Sequence, residues 1–165
     1  MPIKFHKVSD NQFEHDFDWP VLWGIKPEIN IKMPKRATKN SAGYDFFAPF
    51  HFRIDPGDSF IIPTGIKAEL PSGYFLMMVP RSGLGFKYQL GIANTIGIID
   101  SDYFNNENNE GHILIKLVNR GDKFCFIDAG QAFCQGIIMK YGVTDDDIPA
   151  KEVRAGGIGS TDKNE

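Results

Sequence analysis

An acidic residue that ends an apolar segment is the first feature of this sequence that could perform chemistry. Two carboxylates and an aromatic ring follow a strand-like stretch in the run Asn94-Thr95-Ile96-Gly97-Ile98-Ile99-Asp100-Ser101-Asp102-Tyr103. If the strand is half buried, Asp100 lies at the edge of a low-dielectric surface, where a general base can be held dry and oriented. Tyr103 could face the same cavity. Taken alone, the segment also fits an Asx-type turn that closes a hairpin, with Tyr103 as ordinary packing.

Three further segments are rich in small residues. They read Ser41-Ala42-Gly43-Tyr44-Asp45, Pro80-Arg81-Ser82-Gly83-Leu84-Gly85 and Arg154-Ala155-Gly156-Gly157-Ile158-Gly159-Ser160-Thr161. Two of them combine Arg, Gly and hydroxyl residues. This combination suits phosphate oxygens, because backbone N–H groups can approach closely while Arg offers a planar fork of donors. Neither follows the P-loop or the dinucleotide-binding pattern, so the sequence indicates a polyphosphate ligand outside the usual nucleotide-binding folds.

The four segments, in this order, resemble those of the homotrimeric deoxyuridine triphosphatases, or dUTP pyrophosphatases. The resemblance extends from about Lys35 to Thr161 and is most specific in residues 80–85 and 97–103. A fifth family segment, which usually ends in Arg-Ile-Ala-Gln, matches residues 130–135 poorly. The resemblance implies Mg²⁺-dependent hydrolysis of dUTP to dUMP and pyrophosphate, by in-line attack of water on the α-phosphorus. It also implies a homotrimer whose three chains contribute to each active site.

The resemblance assigns the reaction chemistry to the first run. Asp100 would orient and activate the attacking water and contact the sugar 3′-hydroxyl, a general-base role that is worth about 10²- to 10⁴-fold in rate. Tyr103 would lie against the deoxyribose where a 2′-hydroxyl would clash, so that UTP is rejected. Cytosine would be rejected because it leaves buried groups unpaired, at about 1 to 3 kcal/mol each. The hairpin that reads uracil would use Asn94 and the backbone of Ile96, Gly97 and Ile99.

The same resemblance assigns the other segments to the triphosphate and its metal. Mg²⁺ would bridge the three phosphates, and Asp45 would face the hydrated ion through water. For Asp45 the alternative is a turn acid that pairs with a nearby Arg. The residues that would bind the α- and β-phosphates are Arg81, Ser82, Gly83 and Gln135. The arm that would close over the γ-phosphate and the base contains Arg154, Gly157, Ile158, Ser160 and Thr161.

Three departures from the family pattern stand out. Ile158 replaces an aromatic residue that stacks over uracil, a contact of about 1 to 3 kcal/mol. The segment around Ala132 lacks an Arg that usually ties subunits together. A polar insert from Phe104 to Gly111 follows Tyr103, and as an exposed loop it could carry a site for a protein partner. With the long N-terminus, the insert motivates an alternative, a protein-binding regulator gated by nucleotide. A dCTP deaminase-like enzyme is a third reading, which Tyr103 and the tail disfavour.

Composition narrows the class of protein. A chain of 165 residues suits one domain with a real core. Its 18 basic and 21 acidic residues give a net charge of -3, which argues against nucleic acid or an acidic membrane as partner. Cys125 and Cys134 are too widely spaced for a zinc knuckle and read as buried thiols in a reducing compartment. The N-terminus has no apolar signal core, so we expect a cytoplasmic protein.

Gly and Pro interrupt the chain at short intervals, and the runs between them are β-branched and aromatic, which predicts an all-β sandwich or barrel. The resemblance specifies a distorted jelly-roll-like form with one short helix. That helix is predicted over residues 82–88, with Ser82 as its N-cap. Phenylalanine, with 14 residues, supplies the core. Strands are predicted at 29–33, 50–54, 59–62, 66–70, 74–79, 90–93, 112–118, 123–127 and 133–141.

Three regions are expected along the chain. An N-terminal extension covers residues 1–34, the β domain covers 35–152, and a flexible arm that closes over the active site covers 153–165. The strand at 112–118 is nearly continuous in apolar residues with a single Lys, which predicts that it is covered on most of both sides. Its outer face would then contact another subunit.

Overall fold

The computed structural model describes residues 2–17 and 28–148. Within these ranges the chain is built mostly from short strands, together with two helices and one 3₁₀ turn at Ser101–Tyr103. In chain order the elements are β1 (Lys4–Lys7), α1 (Asp10–Asp16), β2 (Gly43–Phe47), β3 (Phe52–Ile54), β4 (Ser59–Pro63), β5 (Ile66–Glu69), β6 (Tyr74–Pro80), α2 (Ser82–Tyr88), β7 (Leu90–Ile92), β8 (Gly97–Asp100), β9 (Leu114–Asn119), β10 (Cys125–Ile127) and β11 (Ala132–Lys140).

The strands form antiparallel sheets that enclose one core. A four-stranded sheet has the order β2-β11-β6-β8, and a three-stranded sheet has the order β4-β9-β7. Two smaller sheets pair β1 with β5 and β10 with β3. The all-β class is therefore confirmed, and so is the aromatic core, although Phe86 is 92% exposed. The largest fully buried aromatic side chains are Phe46, Phe50, Phe52 and Phe133.

The N-terminal segment packs onto this body. Its strand β1 pairs with β5, and α1 begins after Ser9, whose hydroxyl accepts a hydrogen bond from the Gln12 N–H and so caps the helix. Phe13, on the inner side of α1, is buried in the core. The predicted boundary after residue 34 stays a prediction, but residues 4–17 share the core of the β domain. Trp19 and Trp23 lie outside the described residues.

Three sequence predictions are wrong in detail. Residues 29–33 form no strand, because Pro34 has no N–H to continue a ladder and the main chain there is tied by a bond from Asn30 N–H to the Pro49 carbonyl. One short helix was expected, but the described residues contain two, because Asp10–Asp16 form a helix capped by Ser9. The N-cap of α2 is Arg81, with extended backbone, so Ser82 is already inside the helix and caps nothing.

Most predicted strands are confirmed with shifted ends. For example, β9 begins at Leu114 rather than at His112, whose ring and carbonyl are held by side-chain hydrogen bonds. In β9, Ile115 and Leu117 are buried whereas Lys116 is exposed. This alternation shows a strand covered on one face within the chain. Among the described residues, no helix is long and apolar enough to cross a membrane.

Candidate active site

One face of the four-stranded sheet carries the predicted catalytic residue. Leu76 and Met78 of β6 are fully buried, so the alternate residues of this strand point away from the core. Residues directly opposite each other share a face, and Asp100 lies opposite Phe75. We call this surface the outer face. Its members in register are Asp45, Phe75, Met77, Val79, Ile98, Asp100, Gln135, Ile137 and Met139.

Asp100 is the last residue of β8 and is half buried. The side chain of Ile99 packs against the core, while Ile98 is 46% exposed on the outer face beside Asp100. The prediction of a carboxylate at the edge of an apolar strand is therefore confirmed. The 3₁₀ turn Ser101–Tyr103 follows directly, so Tyr103 lies three residues after Asp100 along the chain. Asp100 makes no side-chain cap to this turn, so an Asx-type turn at Asp100 itself is not formed.

Tyr103 is buried, with its phenol directed into the protein. Its hydroxyl donates a hydrogen bond to the His112 carbonyl at 3.1 Å and accepts one from Asn109 Nδ2 at 2.8 Å. The hydroxyl is therefore engaged on both sides. Any ligand that meets Tyr103 would contact the ring rather than the hydroxyl.

The predicted uracil-reading residues lie in the hairpin between β7 and β8. Asn94 is exposed at its tip, and the turn is closed by a bond of 3.0 Å from Thr95 N–H to the Ile92 carbonyl. Thr95 has a left-handed backbone with φ of 71°. A Cβ on Gly97 would lie 3.1 Å from that of Met78, a tight contact that would require a small local shift of β8 or Met78. Ile99 faces the core, so only its backbone could reach a base.

A second cluster lies where β6 ends. Arg81 Nε lies 3.3 Å from Asp45 Oδ1, and Arg81 Nη1 donates to the Ala132 carbonyl at 3.4 Å. Gln135 lies opposite Asp45 on the neighbouring strand, and its side chain covers Gly43, where a Cβ would collide with the amide. Asp45 therefore does pair with an Arg, as the alternative held, but it lies on a strand and not in a turn. Ser82 and Gly83 are exposed beside this cluster at the start of α2.

The two clusters are far apart within one chain. Asp100 lies opposite Phe75 near the start of β6, whereas Arg81 directly follows its end. At the rise of an extended strand, these positions are separated by about 20 Å. A general base must lie within hydrogen-bond reach of the water that attacks the phosphate. One copy of the chain does not bring Asp100 and Arg81 to the same phosphate.

The insert, residues 104–111, is a folded loop. Asn106 is buried, and its Oδ1 accepts from the N–H groups of Asn108 and Asn109 while its Nδ2 donates to the Tyr103 carbonyl at 2.8 Å. The expectation of an exposed loop holds for residues 105, 107 and 108, but Gly111 is buried. Sequence reasoning missed Asn109 as a contact of Tyr103. The sequence did contain a signal for this contact, namely an Asn-rich stretch that ends in Gly111 and so predicts a tight turn.

The N-terminal segment is fastened to this insert. Glu110 accepts hydrogen bonds from the Ser9 hydroxyl at 2.6 Å and from Lys67 Nζ at 3.0 Å. These hydrogen bonds, that of Ser9 first, lower the pKa of Glu110 to about 2. Nearby, the ring of His112 accepts from the Gly65 N–H and bonds Asp16 of α1 at 2.8 Å. Burial lowers the pKa of His112, although the bond to Asp16 opposes this.

The remaining predicted site residues lie outside the described ranges. They are Arg154, Gly157, Ile158, Ser160 and Thr161. Within the described ranges, no group of three His, Cys, Asp or Glu side chains is placed to hold a metal ion. Cys125 and Cys134 are both buried free thiols, as predicted, and burial raises the pKa of each.

A half-buried acid on a sheet face, and an Arg, Gln and Asp cluster beside an exposed Ser-Gly pair, characterise an all-β enzyme that acts on a phosphorylated ligand. Comparison with known proteins agrees with this class. The family model of dUTPase matches residues 29–162, and the chain belongs to the dUTPase family.

Curated relatives carry the same family name. The deoxyuridine 5′-triphosphate nucleotidohydrolase of Lactococcus lactis is 42% identical over 132 residues, which cover 79% of this chain and 88% of the relative. That of Dictyoglomus turgidum is 33% identical over 140 residues, covering 80% and 91%. These matches extend over most of each relative, so they describe the domain as a whole.

Solved structures share the fold. The dUTPase of Streptococcus mutans superposes with a TM-score of 0.66 at 31% identity, covering 86% of this chain and 98% of that one. The dUTPase of Staphylococcus bacteriophage 80alpha superposes with a TM-score of 0.63 at 20% identity, covering 92% and 97%. The second likeness supports the fold alone.

Proposed function

We propose that this protein hydrolyses dUTP to dUMP and pyrophosphate. The observation that carries the proposal is the family match over residues 29–162, joined by relatives that are named deoxyuridine 5′-triphosphate nucleotidohydrolase at up to 42% identity. The half-buried Asp100 at the end of β8 lies inside this span. The dCTP deaminase reading is given up, because the family model and these relatives are dUTPases.

Asp100 is proposed as the group that orients the attacking water. Its carboxylate projects from the apolar outer face, where Ile98 and Phe75 reduce competition from bulk water. The water would add to the α-phosphorus and lose a proton toward Asp100, while the bond to the bridging oxygen breaks and pyrophosphate leaves. Orientation and charge stabilisation account for most of the catalysis in phosphoryl transfer.

Selectivity for the deoxynucleoside is proposed for Tyr103 and for the hairpin at Asn94. The ring of Tyr103 can exclude a 2′-hydroxyl by contact alone, since its own hydroxyl is directed inward. The hairpin presents main-chain groups at its tip, and such groups can pair with one edge of a base and leave another base unsatisfied. Gly97 and the backbone of Ile99 complete this proposed surface.

The triphosphate is proposed to lie on the cluster at the end of β6. Arg81 supplies charge and Gln135 an amide, and Ser82 and Gly83 offer a hydroxyl and an N–H at the exposed start of α2. The arm residues Arg154, Gly157, Ile158, Ser160 and Thr161 remain proposed contacts of the γ-phosphate and the base.

Each active site is proposed to combine chains of a homotrimer. Two observations support it: Asp100 and Arg81 are separated within one chain, and the outer face is apolar. Ile98 and Met139 are 46% and 39% exposed, and Met77 lies between the strands that carry them. An exposed apolar face of this kind marks a contact between proteins. The proposal places one contact between chains on the outer face, and the predicted contact at residues 112–118 stays a prediction.

Mg²⁺ is proposed as the cofactor, carried by the triphosphate. The donor set fits an ion bound mainly through phosphate oxygens and water, because the cluster contributes the carboxylate of Asp45 and the described residues hold no group of three His, Cys, Asp or Glu side chains. Asp45 would accept hydrogen bonds from water on the ion once Arg81 turns toward phosphate. When bound, the ion would neutralise charge on the phosphates.

A protein partner at the insert is proposed only for its exposed side chains, at residues 105, 107 and 108. The rest of the insert is engaged within the chain through Asn106, Asn109 and Glu110. Regulation of a protein partner, controlled by bound nucleotide, is therefore proposed only as a second function beside catalysis.

The direct test is an assay of the purified protein with Mg²⁺ and each of dUTP, dCTP, dTTP and UTP, in which pyrophosphate and ammonia are measured. Release of pyrophosphate from dUTP alone is expected. Ammonia from dCTP, or binding of dUTP without turnover, would contradict the proposal.

A further inference from the structure

We propose that Asn109, within the insert, is a positioning residue that fixes Tyr103 and thereby sets the preference for deoxyribose over ribose. This inference rests on the proposed hydrolysis of dUTP. The insert is one of the departures from the family pattern, and the sequence suggested partner binding as its role. The inference gives it a second role.

The orientation of the Asn109 amide is determined by its neighbours. Its Oδ1 accepts from the Gly111 N–H at 3.2 Å, and a backbone N–H can only donate. Its Nδ2 donates to the His112 carbonyl at 3.2 Å, and a carbonyl can only accept. The amide therefore presents an N–H to the Tyr103 hydroxyl at 2.8 Å.

That bond determines the direction in which the Tyr103 hydroxyl donates its proton. Because the hydroxyl accepts from Asn109, its own proton is directed to the His112 carbonyl at 3.1 Å. The ring is thus held at its far end by two bonds and at its near end by the 3₁₀ turn that follows Asp100. Displacement of the ring would break both bonds in a buried place, where unmade hydrogen bonds are costly.

The loop that presents Asn109 is itself held in place. Asn106 bonds the N–H of Asn109 at 3.1 Å and its Oδ1 at 2.9 Å. Gly111 has φ of 81°, and a Cβ there would meet the Tyr103 carbonyl. Glu110 ties the loop to Ser9 and Lys67 of other segments. Asn109 therefore acts from a rigid support.

A rigid Tyr103 ring is required for a steric contact to discriminate between dUTP and UTP. A ring that can yield accommodates a 2′-hydroxyl at little cost, whereas a ring that is fixed converts the same overlap into lost binding and lost rate. A general weakening of the fold would affect dUTP and UTP alike. The ratio of their kcat/KM values therefore isolates the role of Asn109.

The test compares three variants in steady-state hydrolysis of dUTP and UTP. Asn109→Asp keeps the acceptor for Gly111 but removes the N–H donor to the Tyr103 hydroxyl and to the His112 carbonyl, so the phenol would donate to the carboxylate and leave its native position. Tyr103→Phe removes the hydroxyl, with its bonds to Asn109 and His112, while leaving the loop intact. Each is expected to lower the ratio of kcat/KM for dUTP over UTP by about three- to tenfold, the size of a net loss of one buried hydrogen bond. The control is Asn108→Ala, because Asn108 is exposed and contributes its backbone N–H.

The variant with both changes is expected to show the ratio of Tyr103→Phe alone, since Asn109 acts on the ring through the phenol hydroxyl that Tyr103→Phe has already removed. An unchanged ratio in Tyr103→Phe or in folded Asn109→Asp would overturn the inference, as would an equal fall in Asn108→Ala. If Asn109→Asp does not fold, Tyr103→Phe decides. Failure of the wild-type protein to hydrolyse dUTP would instead refute the proposed function.

Discussion

Asp100 and Arg81 lie at opposite ends of β6, with Asp100 paired across from Phe75 and Arg81 following Pro80. The outer face between these positions is apolar, with Met77 and Val79 on its central strand. If the proposed active site uses both residues, it takes them from different copies of the chain. The proposed assembly would then supply part of each site.

The first prediction concerns Asp100→Asn. The amide keeps the size and the hydrogen-bonding capacity of the side chain but cannot take a proton from water. Turnover of dUTP should fall at least about 10²-fold, with nucleotide affinity retained within about tenfold. Single-turnover kinetics and equilibrium titration with a non-hydrolysable analogue measure the two quantities. An unchanged rate would show that another group orients the water.

The second prediction uses mixed assemblies of two inactive variants. Asp100→Asn and Arg81→Ala are co-expressed with different tags, and assemblies that contain both are isolated. If each site takes Asp100 and Arg81 from different neighbouring chains, every trimer that contains both variants regains both residues at one of its three sites. Activity of about a third of wild type is therefore expected for the isolated mixed assemblies. Each variant expressed alone is the control, and mixed assemblies with no recovered activity would place both residues in one chain.

The sequence alone predicted what depends on local pattern. The half-buried carboxylate at Asp100 followed from an apolar run that ends in polar residues. The helix α2 was predicted from a capping residue, and its bounds are confirmed. The predicted start of β9 at His112 is wrong, because that residue is held by groups distant in sequence. The predicted cap at Ser82 is wrong, because the backbone angles make Arg81 the N-cap. His112, for instance, is held by Asp16 and Gly65.

The structure of the insert could not be read from its composition. Asn-rich stretches are typical of exposed loops, and the same side chains also close turns by bonding the main chain. Which of these occurs depends on partners far along the chain, such as Ser9 and Lys67 for Glu110. The separation of Asp100 from Arg81 is likewise a matter of strand register, which local patterns do not fix.

The third prediction separates two roles of Asp45. If its carboxylate faces a hydrated Mg²⁺, Asp45→Asn should raise the Mg²⁺ concentration for half-maximal activity severalfold. If it only holds Arg81, the KM for dUTP should change while the Mg²⁺ dependence stays the same. Activity measured over a Mg²⁺ titration at saturating dUTP distinguishes the two. The control is Asp55→Asn, which breaks an exposed pair with Arg53 outside the site.

The fourth prediction concerns Gly83→Ala. Apart from its chain neighbours and the backbone of its own helix, no atom of residues 2–17 and 28–148 lies within 4 Å of the position that a Cβ would take at Gly83, so alanine has room there. Helix propensity favours the change by up to about 1 kcal/mol, so the free energy of unfolding should stay equal or rise. If phosphate approaches this N–H, the KM for dUTP should nevertheless rise.

The matched control is Gly85→Ala in the same helix, where the nearest atom is the Leu90 carbonyl oxygen at an ordinary 3.7 Å. It should share the gain in stability and leave the KM unchanged. A KM for Gly83→Ala equal to that of wild type would remove this N–H from the phosphate site.

The fifth prediction concerns the dependence of stability on pH through Glu110. Hydrogen bonds from Ser9 and Lys67 hold its pKa at about 2, against an ordinary value of 4.5. Because the folded pKa lies below the unfolded one, this carboxylate stabilises the folded state fully above about pH 4.5 and progressively less as pH falls toward 2. Glu110→Gln removes the effect. The difference in free energy of unfolding between wild type and Glu110→Gln should therefore be largest at pH 7 and shrink between pH 4.5 and 2, as measured by urea denaturation at several pH values.

Glu107→Gln, at an exposed position of the same insert, should show a much smaller difference. A wild-type advantage that stayed constant down to pH 2 would mean that the bonds from Ser9 and Lys67 do not depend on the charge of Glu110.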